Sequence, residues 1–311
     1  MTGASGFLGL PIVDKLASCG RYNIYAATTG RRLVAFPEGV HTVKVDLLNR
    51  DQSSDIINEI SPDMMVHLAW ELSESDYMNS ADNIIWLEES LQMLRTFISS
   101  GGKYFAFAGS SAEYERFKGF SEDRNMVLHF STGKRALPVE NNKNDSISMY
   151  GRCKSTFNGL ASGLCAANKV DYVNLRFFPT LGKGMRSNLS APAKAVSAFL
   201  AGERFECRSP YNIWDFIHVD DASGVACAIL QQQHTGIVNI GSGIPRIMKD
   251  VFTAISRKMD CEHLLHFNLD NNDKEILVAN TEVLDNIIGY KCTVGFDEML
   301  SDIIECIRER G

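Results

Sequence analysis

Glycines at positions 3, 6 and 9 open the chain and lead straight into an apolar run from Leu8 to Leu16. A glycine-rich turn feeding a helix brings backbone N–H groups up to a pyrophosphate, and the helix dipole favours the negative charge there. In a doubly wound α/β sheet such a turn follows the central strand. The stretch therefore predicts a Rossmann-like parallel sheet with helices on both faces. Only Met1 and Thr2 stand ahead of Gly3. The first strand thus reads as missing or truncated, and the expectation is that the natural protein starts several residues upstream with a short apolar strand. Three glycines alone are a weak signal, equally compatible with a helix that starts after a loop.

A second stretch narrows the choice. Ser148 to Ser155 carries Tyr150 and Lys154, four residues apart. On a helix the two side chains share one face. An ammonium beside a phenol favours the phenolate, so Lys154 is expected to lower the pKa of Tyr150 and make it a proton donor or acceptor near neutral pH.

With both stretches in this order, the chain resembles the extended short-chain dehydrogenase/reductase family, in its NAD(P)-dependent nucleotide-sugar epimerase, dehydratase and ketoreductase group. Thr2 to Gly9 is similar to the family's cofactor turn, Val66-His67-Leu68-Ala69 to its fourth strand and Phe107 to Ser111 to its fifth. Asp215 to Asp221 and Val238 to Gly243 are similar to two further signatures. The resemblance implies catalysis by Tyr150 and Lys154 with the hydroxyl of Ser110, which stands four residues before Tyr114; Ser111 is the fallback. It implies cofactor contacts from Gly3, Ser5, Gly6, Phe7, Leu8, Gly9, Thr28, Asp46, Leu47, Leu68, Ala69, Trp70 and Phe177, besides Tyr150 and Lys154. Trp70 reads equally as rim packing. Substrate contacts are expected from Ser111, Pro179, Arg186, Asn188, Arg208 and Trp214. The cofactor-binding domain is expected over 1–178 and about 212–243, and a smaller mixed α/β substrate domain over about 179–211 and 244–311.

Departures from the family pattern shape the functional expectation. After the strand Asn23 to Thr28 comes Thr29-Gly30-Arg31-Arg32, with no carboxylate to hold a ribose 2′-hydroxyl. Arginines there suit a 2′-phosphate, so NADP is expected, with NAD as the alternative. Relatives commonly have asparagine in place of Pro179, and an arginine that holds the diphosphate in place of Trp214; Arg186 and Arg208 are the candidates to supply the missing charge. The family's dehydratases have an acid two positions after the active-site hydroxyl, where this chain has Ala112, although Glu113 is adjacent. The expected activity is reduction of a nucleotide-linked keto-deoxysugar, with a 4-epimerase that keeps NAD bound as the alternative. A non-catalytic cofactor-binding regulator is the alternative from another class.

A chain of 311 residues can bury a sizeable core. A net charge of −7 argues against general nucleic-acid binding. Eight cysteines with no Cys-x-x-Cys suggest neither a metal site nor a disulfide framework, and so a reducing cytoplasm. No apolar run is long enough to span a membrane. A homodimer is expected. Residues 115–147 form an unusually long link, read as a flap over the substrate or as disorder.

Overall fold

Parallel strands alternating with helices build the chain. The computed structural model describes residues 1–31, 34–70, 72, 76–114, 117–118, 148–186, 190–271 and 275–309. The first half runs α1 (Gly9–Ser18), β1 (Tyr25–Thr28), β2 (His41–Lys44), α2 (Arg50–Ile60), β3 (Met64–His67), α3 (Asp82–Ser99), β4 (Tyr104–Ser110) and β5 (Phe117–Lys118). It continues through α4 (Met149–Ala167), β6 (Asp171–Phe177), β7 (Thr180–Leu181), α5 (Ala191–Leu200), β8 (Phe205–Cys207), β9 (Ile213–Asp215) and β10 (Ile217–His218). The last elements are α6 (Val219–Gln232), β11 (Gly236–Ile240), β12 (Pro245–Ile247), α7 (Met248–Lys258), β13 (Leu265–Phe267), β14 (Glu275–Leu277) and α8 (Phe296–Arg308). The expected link over 115–147, apart from β5, and the expected contacts Arg32 and Asn188 lie outside the described residues.

The main sheet has the order β11-β6-β4-β3, all parallel. Next to β3 comes Met1–Thr2, and beyond it the parallel pair β1-β2. The amide of Thr2 donates to the carbonyl of Val66 at 2.9 Å, and that of Ala27 donates to the carbonyl of Met1 at 2.9 Å. These two residues thus stand at the sheet's centre, where a doubly wound fold delivers its first turn. Residues Tyr104 to Gly109 of β4 are all buried, as expected of a parallel strand covered on both faces.

One core cluster joins α1 and α6 to the sheet through Ile12, Val13, Leu16, Val225, Ile229 and Val238. Another packs α3 and α4 on the opposite face through Met93, Phe97, Phe105, Phe107 and Phe157. A third sits among α5, α7 and α8, with Val196, Phe252 and Ile303 at its middle. A small sheet, ordered β12-β9-β14-β5, joins three strands of the carboxy-terminal half to β5.

Candidate active site

The glycine turn is where the backbone comes closest to itself. Gly3 has φ +66°, and a Cβ on it would fall 2.8 Å from the amide nitrogen of Ala69 and 3.0 Å from the carbonyl carbon of Leu68. A Cβ on Gly9 would collide with the carbonyl of Gly3 and lie 2.9 Å from the Ala4 backbone. Side chains are thus excluded where α1 meets the sheet, and the exposed amides at the start of α1 suit a pyrophosphate. Ser5 is tied to Thr28 through their hydroxyls at 3.2 Å, which holds the turn against the end of β1.

At that end Thr29, Arg31, Lys44, Asp46 and Gln52 line an open pocket. Lys44 is the register partner of Thr28, and its aliphatic stem passes beneath Gly30. The pocket therefore carries two cations, of which only Arg31 was expected. Asp46 has its own role, accepting the amide of Leu48 at 3.1 Å.

A cleft of about 370 Å³ opens beside the turn. Phe7 and Leu8 line it, as do Ser110, Ser111, Tyr150 and Lys154, with Pro179, Trp214 and Leu277 farther along. Strand β4 ends at Ser110, whose hydroxyl accepts the Ala112 amide at 3.1 Å. Ser148 caps α4 by accepting the Gly151 amide, which sets the start of the helix that carries Tyr150 and Lys154. Leu68, Trp70 and Phe177 also face the cleft. Arg186 and Arg208 are exposed, and neither lines it.

The expected coupling of lysine to phenol is corrected by the geometry. Lys154 is buried and donates to the carbonyl of Ala108 at 2.8 Å, while its ammonium lies 3.9 Å from the Trp70 ring centroid and 5.7 Å from that of Tyr150. Burial lowers its pKa to about 7, with Glu113 pulling the other way. Tyr150 is not pushed down: burial raises the phenol, Tyr77 and Glu113 add to this, and a hydrogen bond with Ser110 offsets only part. Burial thus favours the neutral phenol over the phenolate in this structure.

Glu113 is the residue that the sequence left without a place. Its side chain is fully buried and paired with Arg176 at 3.1 Å, itself fully buried. It also accepts from Asn174 at 3.0 Å and from the amide of Ser110 at 2.9 Å. The carboxylate thus turns under the strand end and fixes Ser110 from below. Among the described residues lining the cleft there is no carboxylate.

The family model for the NAD dependent epimerase/dehydratase family matches residues 1–241. The chain belongs to that family. It is 26% identical to an ADP-L-glycero-D-manno-heptose-6-epimerase from Nitratidesulfovibrio vulgaris, over 99% of this chain and 96% of the relative. Its fold is similar to that of UDP-glucose 4-epimerase from Thermotoga maritima, solved with UDP-glucose, with a TM-score of 0.80 at 18% identity, covering 99% of this chain and 98% of that one. It is similar too to UDP-glucose 4-epimerase from Thermus thermophilus, solved with NAD, with a TM-score of 0.79 at 18% identity, covering 99% and 97%. As a member of this family the chain places its glycine turn and its Tyr150–Lys154 helix on one cleft. Sequence reasoning missed Lys44, Tyr77 and Met78, which reach the pocket or the cleft from other segments.

Proposed function

We propose that the chain is an NAD(P)-dependent enzyme that oxidises and re-reduces one carbinol carbon of a nucleotide-linked sugar, with epimerisation as the net reaction. One observation carries this reading: Ser110, Tyr150 and Lys154 line a cleft that also receives the glycine turn through Phe7 and Leu8, with no carboxylate among its described lining residues. Dehydration needs an acid beside the reacting hydroxyl. Glu113, the nearest candidate in sequence, is buried under the strand and paired with Arg176. The curated epimerase relative supports a nucleotide sugar as substrate.

The side-chain-free turn at Gly3 and Gly9 fits a dinucleotide, which the amides at the start of α1 would hold. A bound nicotinamide supplies the hydride acceptor and donor. Tyr150 takes the proton of the sugar hydroxyl as its phenolate while the carbonyl forms, and the resulting phenol returns that proton when the alcohol is remade. Ser110 accepts the Ala112 amide with a lone pair and hydrogen-bonds Tyr150, which positions its hydroxyl beside the reacting oxygen. Lys154 fixes the strand end at Ala108 and keeps positive charge near the ring.

A second reading, net reduction of a keto sugar by NADPH, is favoured by Arg31 and Lys44 on the pocket at the end of β1, which suit a 2′-phosphate. In either case residues 1–178 and about 212–243 would bind the cofactor, and about 179–211 and 244–311 the sugar nucleotide. A cytoplasmic homodimer is part of the proposal. Incubation with a panel of UDP- and ADP-linked hexoses and heptoses, with NAD or NADP, decides between the readings. Epimerisation gives a new diastereomer by NMR with no net change in nicotinamide absorbance, whereas reduction consumes NADPH one for one. No conversion of any sugar by protein that holds cofactor would reject both.

A further inference from the structure

Two hydrogen-bond donors beside the cleft have no acceptor. The indole N–H of Trp214 and the Nε–H of Arg246 are both buried and without a partner. They belong to neighbouring strands, since β9 and β12 pair antiparallel with Trp214 directly opposite Arg246. Directly paired residues put their side chains on the same face of a sheet. Trp214 is also in register with Leu277 of β14, and these two line the cleft, with Arg246 next to Trp214 but outside the lining itself.

The surroundings do not answer the two donors. The Arg246 guanidinium carbon lies 3.7 Å from the centroid of the Phe296 ring, which holds the group by its face. Asp215, the acid that acts on Arg246 electrostatically, is already engaged by Ser242, Gly243 and Ala279. Buried donors are nearly always satisfied, and a pair left open on one wall calls for a ligand acceptor. Arginine and indole N–H groups suit the oxygens of a phosphate. The only cation among the described residues lining the cleft, Lys154, is occupied with Ala108.

We infer that the Trp214–Arg246 cross-strand pair is a phosphate-binding subsite, which takes the diphosphate of the sugar nucleotide at the far end of the cleft from Tyr150. The inference rests on the nucleotide-sugar reading above and assigns to Arg246 a substrate-anchoring role. Arg186 and Arg208, the exposed alternatives, are then not required.

Binding of UDP, ADP, inorganic pyrophosphate and uridine, measured by calorimetry without cofactor, tests it. The variants are Arg246→Met, Arg246→Lys and Trp214→Phe, with NAD titration as the check on folding. Arg246→Met is expected to weaken UDP and ADP at least tenfold while uridine and NAD bind as before. Arg246→Lys should recover part of the loss, and Trp214→Phe, which keeps the ring and removes the N–H, should lose severalfold. Wild-type affinity for UDP and ADP in Arg246→Met would overturn the subsite. So would an equal loss for uridine and UDP, or a wild-type protein that holds NAD but none of the three phosphate ligands. Failure of the functional reading shows elsewhere, as absence of cofactor binding or sugar conversion by the unaltered chain.

Discussion

Glu113 makes no contact with the open cleft, yet it decides how the strand end is built. Removing one partner of a buried ion pair strands the other charge, at a cost of about 3–5 kcal/mol. Glu113→Ala is therefore expected to lower the unfolding free energy by that order, read by urea denaturation, because Arg176 has 0% side-chain exposure. His67 is another polar residue held in the core, with Nδ1 at 2.7 Å from the Thr2 hydroxyl and Nε2 at 2.9 Å from that of Ser90. Burial, with help from the nearby positive charges of Lys154 and the chain terminus, lowers its pKa to about 3. A depressed folded-state pKa gives stability that is complete above the unfolded value of 6.5 and is lost as pH falls toward 3. The predicted loss is about 2 kcal/mol by about pH 5, at about 1.4 kcal/mol per pH unit. Unchanged stability of His67→Gln relative to wild type across that range would show that His67 is not the group responsible. Tyr150, Lys154 and the glycines were legible because their meaning lies in residue type at short spacing. The Glu113–Arg176 pair was not, because 63 residues separate the partners and only the β4–β6 register, with Gly109 opposite Arg176, brings them together.

At the scale of elements, α1 depends on the missing Cβ at Gly9, whereas α4 has open space at Gly159 and Gly163. Gly9→Ala forces a methyl group into the Gly3 carbonyl. It is expected to weaken cofactor binding at least tenfold, about 1.4 kcal/mol, as read by fluorescence titration. Gly163 lies inside α4 with open space around its would-be Cβ. Gly163→Ala should instead stabilise the protein by about 0.5–1 kcal/mol, with cofactor affinity unchanged. The first helix and the strand after it were read from the sequence close to their observed ends, Leu8 to Leu16 against Gly9–Ser18 and Asn23 to Thr28 against Tyr25–Thr28, because apolar patterning is a local property. Lys44 escaped notice for the opposite reason: it reaches the Arg31 turn only because β2 pairs with β1.

At the scale of the whole molecule, several of the exposed large apolar side chains belong to two helices, α3 and α4. Ile84 and Ile85 of α3 are 43% and 45% exposed, and Met149 and Leu160 of α4 are 37% and 53% exposed. Since α3 and α4 pack side by side, the proposed homodimer would bury these side chains, as happens to exposed apolar clusters at interfaces. Sedimentation should give a dimer for the unaltered chain and a monomer for Ile85→Glu with Leu160→Glu; a monomer in both would reject it. The central claim, that this family member moves a hydride with Tyr150 carrying the proton, is tested most directly in a single turnover. Protein loaded with oxidised cofactor is mixed with the nucleotide sugar it converts, and the nicotinamide absorbance is followed. The account predicts a rapid rise in reduced cofactor for the unaltered chain. For Tyr150→Phe it predicts a rise slowed about 100- to 10,000-fold, with cofactor affinity unchanged. An equal rate in both proteins would contradict it.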